Sequence, residues 1–282
     1  MEENQKFHNL VKKVLQDNGL FVSQESLYHF TNINGLLGII TNNELWLSER
    51  NYLNDVNDEK FIKNYVRNIF KNLSQREWEE YERYLIHSKN QYIFSTSKEK
   101  DSIHQWTYYG LQESFCIEFE RKKLINLFYR FDKKTDFYYG PILYGNERTL
   151  NIANKIIDEY TSLISNKNCI FNIDNDNFDE KGFSEFKRVY QYFYSLIKQA
   201  GHSCENEYRF LLQSESKPEF RISNGLFVPF IKVKARGKLP IKKIYIGPNS
   251  YETSAKENLE YFLKKNGYNN VVVDKSEMHI RR

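Results

Sequence analysis

Glu205, Glu207 and Arg209 recur at every second position of Ser203-Cys204-Glu205-Asn206-Glu207-Tyr208-Arg209-Phe210-Leu211-Leu212. The run alternates and ends in apolar, β-prone residues, which predicts a strand. On a strand the two acids and the guanidinium project to one face, and Asn206, Tyr208 and Phe210 to the other. Two readings are open. A charge pattern usually solvates a surface and makes a salt bridge there. The other reading is a catalytic carboxylate held on a rigid strand at the floor of a cleft. Two further stretches bear on the choice: His29 within Leu27-Tyr28-His29-Phe30-Thr31, and the hydroxyls of Phe94-Ser95-Thr96-Ser97. Taken singly, a strand histidine is most often a satisfied structural residue and a Ser-Thr-Ser strand is often only a strand.

The elements that must position these groups follow from periodicity. Phe7, Leu10, Val11, Val14 and Leu15 predict an amphipathic helix over 4–17, stopped at Gly19. Residues 26–30 predict a strand, 33–42 a helix capped by Asn32, and 45–48 a second strand. Asn51 to Glu59 reads as a polar loop turning into a helix, with Asp55 or Asn57 as its cap or, alternatively, Asn54 and Asp55 facing a cleft as ligand-binding groups. Helices are predicted over 58–72 and 75–88, strands over 91–97 and 114–120, and a short helix from Asp101 to Gly110 lies between those strands. That helix carries Trp106 and Tyr109 at i, i+3, on one face. A helix at 121–129, a strand around 137–144 and long helices at 147–166 and 181–199 follow. The acidic loop 172–180 lacks the central glycine and closing glutamate of a calcium-binding loop and reads as a solvated linker. Strands at 226–234, 241–246 and 271–273 and a helix at 252–265 complete the chain. Early alternation and late clustering of strands predict an α+β fold with a mixed or antiparallel core sheet. The expected organisation is an N-terminal helix (1–25) and a single domain (26–282) with helical insertions at about 56–88 and 147–200.

Composition narrows the function classes. With 282 residues and 40% apolar content there is enough material for a sizeable core, and 42 Tyr and Phe residues suit core and cleft walls. A net charge of +4 is too mild to argue for nucleic acid by itself. Three cysteines without ligand spacing fit a reducing compartment better than a disulfide framework. No signal-peptide pattern and no membrane-spanning run are visible, so a cytoplasmic location without membrane association is expected. Rossmann and P-loop motifs are absent.

In combination the stretches resemble the bacterial DUF2971 family. The resemblance rests on Leu27-Tyr28-His29-Phe30-Thr31 with Gly35-Leu36-Leu37-Gly38-Ile39-Ile40, on Leu45-Trp46-Leu47-Ser48 with Tyr52-Leu53-Asn54-Asp55, on Phe94-Ser95-Thr96-Ser97 with Asp101-Ser102 and Gln105-Trp106, on Glu205-Asn206-Glu207-Tyr208-Arg209, and on Ile246-Gly247-Pro248-Asn249. That family resembles a distant branch of the ADP-ribosyltransferase fold, a split sheet that cradles NAD. The resemblance implies a histidine on the first strand, here His29, bonding a ribose hydroxyl and backbone of NAD. It implies small hydroxyls on a middle strand, Ser95 and Ser97, that let the nicotinamide approach. Trp106 or Tyr109 would stack on that cationic ring. Glu207 matches the catalytic glutamate, Glu205 would orient an acceptor or act as an auxiliary base, and Arg50, Arg209 and Arg281 are candidates for the pyrophosphate. The long helical insertion before the glutamate strand departs from the better-known enzymes and leaves the choice between Glu205 and Glu207 open. The acceptor would be a macromolecule, protein or nucleic acid, or water, in a toxin-like or phage-defence setting.

The chemistry explains the residue types. Breaking the nicotinamide–ribose bond develops an oxocarbenium-like centre, which a carboxylate on the ribose 2′-hydroxyl stabilises. A second class of function is a non-catalytic module binding a nucleotide or nucleic acid through Lys232, Lys234, Arg236, Lys238, Lys242 and Lys243, a cluster that also reads as a solvated sheet edge. A third is a metal nuclease built on His29, Asp55, Asp58 and Glu59.

Overall fold

The computed structural model describes the chain apart from residues 1, 21–23, 54–57, 70, 72–73, 77, 80–81, 83–90, 110–112, 132–135, 164–179, 224, 249–251 and 279–282. In order, the elements are α1 (Glu2–Asp17), β1 (Ser26–Asn32), α2 (Ile33–Asn42), β2 (Glu44–Glu49), α3 (Asp58–Ile69), β3 (Gln91–Ser97), α4 (Ile103–Tyr109), β4 (Ser114–Glu120), α5 (Arg121–Tyr129), β5 (Asp136–Pro141), β6 (Leu143–Gly145), α6 (Glu147–Leu163), α7 (Glu180–Leu196), β7 (Ile197–Gln199), β8 (Glu207–Gln213), β9 (Glu219–Ser223), β10 (Leu226–Lys234), β11 (Ile241–Ile246), α8 (Glu252–Lys265) and β12 (Val272–Lys275). The predicted helix at 75–88, the acidic loop 172–180, Asn54, Asp55 and Arg281 lie largely or wholly outside the described residues.

The chain forms two compact units. One gathers Met1–Val22, Asn54–Lys89 and Gly140–Ser203; the other gathers Ser23–Leu53, Asn90–Tyr139 and Cys204–Arg282. The first unit is helical and takes in the opening helix together with both predicted helical insertions. All five apolar residues of the α1 stripe are buried. Phe7 meets Tyr160 of α6 and Tyr192 of α7 edge-on, at 4.9 and 5.3 Å between ring centroids. Such edge-to-face contacts add to the area the rings bury. β6 and β7 form a small parallel pair. Gly145 ends β6 where a Cβ would fall 2.4 Å from the Phe61 ring, so a side chain there would displace that ring.

The second unit is a ten-stranded mixed sheet, mainly antiparallel, in which β11 pairs with β12 in parallel. Its path runs β12-β11-β4-β1-β3-β2-β10-β9, with β8 on the other edge of β3 and β5 beyond β8. The observed class is therefore α+β with a mainly antiparallel sheet and flanking helices. Asn32 caps α2 as predicted, its side-chain oxygen accepting from Gly35 N–H at 2.9 Å. The core is the apolar face on which Leu27, Leu45, Leu47, Phe94, Ile117, Phe119 and Phe210 meet Phe128 of α5 and Leu263 of α8.

Three predictions are corrected. The strand at 137–144 breaks at Ile142 into β5 and β6, which pair in different sheets. The helix at 181–199 ends at Leu196, and its last three residues are β7. The third correction falls on the stretch of highest chemical interest. The chain is a 3-10 turn over Ala200–Glu205, and the strand starts only at Glu207. Between them Asn206 holds φ at 45°, the left-handed region that asparagine enters more readily than most residues.

Candidate functional site

The left-handed Asn206 separates the two acids that the alternation had placed on one face. Glu207 is on β8; Glu205 is on the turn before it, where its backbone carbonyl accepts from Ser97 Oγ at 2.9 Å and from Gln105 Nε2 at 3.4 Å. Glu207 and Arg209 do share a face. They form a two-pronged ion pair, Arg209 Nε donating to one carboxylate oxygen at 2.7 Å and Arg209 Nη2 to the other at 2.9 Å. Both side chains are buried, at 5% and 6% exposure. Burial of a carboxylate demands such a partner, and a guanidinium matches it in shape and stays charged.

Cross-strand register shows what stands beside the pair. Glu207 is opposite Ser97 and Arg209 opposite Ser95. Ser97 is opposite Tyr28 of β1, and Tyr28 opposite Glu118 of β4. Glu118, Tyr28, Ser97 and Glu207 thus form one row on one face of the sheet. Glu118 is a second buried carboxylate, unmarked by any motif. Ser26 Oγ donates to it at 2.6 Å and Tyr245 Oη at 3.0 Å, and Lys242 Nζ lies 3.3 Å away. Burial alone would raise its pKa, but these donors outweigh burial and hold it below the ordinary carboxylate value. Tyr28 beside it is pushed up by burial and by the Glu118 charge.

His29 is on the reverse face. Its ring stacks on Phe94 at 4.5 Å, on the core side of the sheet. It stands opposite Ile117 of β4, on the same face as Leu27, and beside it the ladder is divided. One edge of β3 pairs with β2 at Ile93 and Tyr92 and with β1 at Ser97, so the strands part between those points. His29 Nδ1 reaches into the division and lies 2.9 Å from the Ser95 carbonyl. A carbonyl only accepts, so Nδ1 carries the proton and Nε2 is the acceptor. Burial lowers the His29 pKa to about 4, against the opposing effect of the Ser95 bond, so the ring is neutral at pH 7.

The other predicted ligands scatter. Ser95 is half-buried and opposite Arg209. Ser97 spends its hydroxyl as donor to the Glu205 carbonyl and as acceptor from Glu99 N–H at 3.1 Å. Trp106 is 1% exposed, packs with Phe30, Cys116 and Tyr245, and donates its indole N–H to Asp101. It is a core residue of the face it was expected to line. Tyr109 ends α4, and its side chain lies outside the described residues, as do those of Asp58 and Glu59. Arg50 donates to Gln91 at 3.2 Å. Gly247 follows β11 where a Cβ would crowd Ser114 and Trp106, and its N–H bonds the Ser114 carbonyl at 2.8 Å. No cluster of three or more His, Cys, Asp or Glu stands together as a metal site among the described residues.

Fold and site define an α+β chain in which a divided sheet carries a histidine at the division and a buried glutamate–arginine pair two strands away. Residues 105–210 match the model of a family described as protein of unknown function (DUF2971), and the chain resembles that family from α4 to the middle of β8. No curated protein and no solved structure matches the chain. Among the described residues no helix is long and apolar enough to cross a membrane.

Proposed function

We propose that this chain is an NAD-consuming, ADP-ribosyltransferase-like enzyme that moves ADP-ribose from NAD to a macromolecular acceptor or to water. One observation carries the reading. The stretches bearing His29, Ser95–Ser97 and Glu207 lie far apart in sequence, yet β1, β3 and β8 are hydrogen-bonded side by side. That adjacency is what the first-strand histidine, middle-strand hydroxyl and later-strand glutamate of the ADP-ribosyltransferase pattern require. A sheet divided between β1 and β2 also suits a ligand cradled between two smaller sheets.

The residues present fit a dinucleotide in part. Neutral His29, its tautomer set by Ser95, offers Nε2 as acceptor to a ribose hydroxyl. His29 and Glu207 face opposite sides of the sheet, with His29 seated in the division against Phe94, so the reading requires the strands to part further beside Ser95 for one dinucleotide to touch both. Glu207, fixed by Arg209, holds its negative charge in place before the ribose becomes cationic, which costs no reorganisation during reaction. Nicotinamide leaves neutral with the bonding electron pair, the acceptor bonds C1′, and the acceptor proton passes to Glu205 or water. Arg209 is committed to Glu207 and Trp106 to the core, so neither serves the pyrophosphate or the nicotinamide face in this reading.

The alternative, a non-catalytic nucleotide- or nucleic-acid-binding module, loses support at the lysine cluster. Lys232 pairs with Glu219, Lys242 with Glu118 and Lys243 with Asp274, and Lys238 bonds the Asn266 carbonyl. The deciding experiment is nicotinamide release from NAD by the purified protein, with and without total cell protein, RNA or DNA. Release that falls at least about a hundredfold in E207Q and less in E205Q supports the assignment. A folded protein that releases no nicotinamide with any acceptor, and whose nucleic-acid binding falls steeply with salt, transfers the reading to the module.

A further inference from the structure

Trp46 and Ser48 are two residues apart on β2, on the face turned away from the core that Leu45 and Leu47 enter. Ser48 is opposite Ile93, and Ile93 opposite Leu211, two residues beyond Arg209 on β8. This is therefore the face that carries Glu207 and Arg209. Trp46 is 39% exposed, whereas the other two tryptophans, Trp78 and Trp106, are buried. Its ring is fixed. The indole N–H donates to Glu44 Oε1 at 2.9 Å, and one ring face stacks on Phe230 at 4.4 Å between centroids. Lys232 Nζ lies 6.0 Å from the Trp46 centroid and 5.9 Å from the Phe230 centroid. A point about equally far from two stacked rings lies at their shared rim, so the ammonium does not cover the second indole face. A fixed aromatic face open to solvent is a stacking surface for another planar ring.

Arg221 of β9 reaches the same place. It is opposite Val228 of β10, and its Nη2 donates to Ser48 Oγ at 2.9 Å. Among the described residues that neutral hydroxyl is the one hydrogen-bond partner of its side chain, and Nε is buried without an acceptor. The other charges of β2, β9 and β10 on this face match one another. Lys232 pairs with Glu219 at 2.6 Å, and Lys234 is opposite Glu44. Arg221 is the cation left over. Burial lowers its pKa and no carboxylate offsets that, in contrast to Arg209, which Glu207 holds through both oxygens. A guanidinium keeps its charge even so, and its forked donors match the oxygens of a phosphate.

We propose that this corner of the sheet is a nucleotide site, with an aromatic base on the second face of Trp46 and its phosphate on Arg221 beside Ser48. Positions two apart on one strand face are about 7 Å from each other, the reach of one ribose between a base and its phosphate. The site goes beyond the activity proposed above, because binding here needs neither Glu207 nor turnover of NAD. A free nucleotide and a single strand of nucleic acid both present this pairing of base and phosphate.

Titration calorimetry and tryptophan fluorescence with ADP, adenosine and a short single-stranded oligonucleotide test the site. ADP or the oligonucleotide is expected to bind the full chain and to quench its fluorescence through Trp46, the exposed tryptophan. Which of the two binds names the source of the nucleotide. W46L should weaken that binding about tenfold or more and abolish the quench. R221M should weaken it about tenfold and leave the weaker binding of adenosine, which has no phosphate, unchanged. The melting temperature of R221M without ligand should stay near that of the wild type, because the change removes a buried charge whose one partner is neutral. Binding of neither ADP nor the oligonucleotide to the folded protein overturns the proposal, and so does binding that W46L and R221M leave intact. Nicotinamide release is scored separately: it stands or falls with Glu207, whichever way these affinities come out.

Discussion

Glu207 and Glu118 stand in the same cross-strand row, with β1 and β3 between them, and the sheet keeps each charged by a different device. Glu207 has one partner matched to it in shape, an arginine as buried as itself. Glu118 has three modest partners, and its cation, Lys242, is 43% exposed. A buried partner that grips both carboxylate oxygens holds the acid in one geometry. Several partners, one reaching from solvent, make a site that tolerates loss. The first arrangement suits a group whose position matters in a reaction; the second suits a group that holds β1, β4 and β11 together.

The sharpest way to break the comparison is to remove the cations. R209M removes the guanidinium that grips both oxygens of buried Glu207 and should cost about 3–5 kcal/mol, read from urea unfolding midpoints. If R209M costs under about 1 kcal/mol, the pair is not the closed unit described here. A second test uses the buried histidine on the opposite face of the sheet. The unfolded state takes up a proton on His29 as pH falls below about 6.5, whereas the folded state resists until about 4. Stability should therefore drop by on the order of 3 kcal/mol between pH 7 and 4. H29N, which retains a donor for the Ser95 carbonyl, should flatten that dependence. Glu118 titrates in a lower window: its pKa is depressed, so its contribution is present above about pH 4.5 and is lost only as pH falls further. S97A, which removes a donor from the Glu205 carbonyl and an acceptor from Glu99 N–H, should cost about 1 kcal/mol. K242M should cost least, at most about 1 kcal/mol, because Ser26 and Tyr245 stay on Glu118 and the lysine is half in water.

What could be read before folding and what could not divide along physical lines. Elements with a clean period were legible. β3, β4, β10 and β11, and α2, α5 and α8, begin and end where periodicity and caps placed them. The site was legible as a set of strands but not as a set of side-chain directions. Period-two alternation assumes unbroken extended backbone, and one left-handed residue, Asn206, removes Glu205 from the count. His29 shares the core face of β1 with Leu27, opposite Ile117, but Tyr28 and Phe30 make the other face apolar too, so alternation in β1 alone does not say which face meets the core. Trp106 was assigned to a ligand on helical spacing, and spacing cannot say which side of a helix the sheet covers. Glu118 gave no signal because it sits inside a plain β-run, Phe115-Cys116-Ile117-Glu118-Phe119; an acid at that place in a buried run is itself the signal. β9 was missed although Asn224-Gly225 between two β-prone runs is a hairpin pattern.

The helical unit is assembled from three separate stretches of chain, and the sheet unit from the three that alternate with them. That interleaving makes folding a late event. On a ribosome the helical unit has its last segment only once residue 203 has emerged. The sheet waits longer, because β8, β10 and β11, which flank β3, β2 and β4, are made after that. Neither unit can complete early in synthesis, as an N-terminal domain usually does. The contacts that close them span most of the chain, which predicts slow, strongly coupled folding. Dissecting either unit as a contiguous fragment should yield material that does not fold.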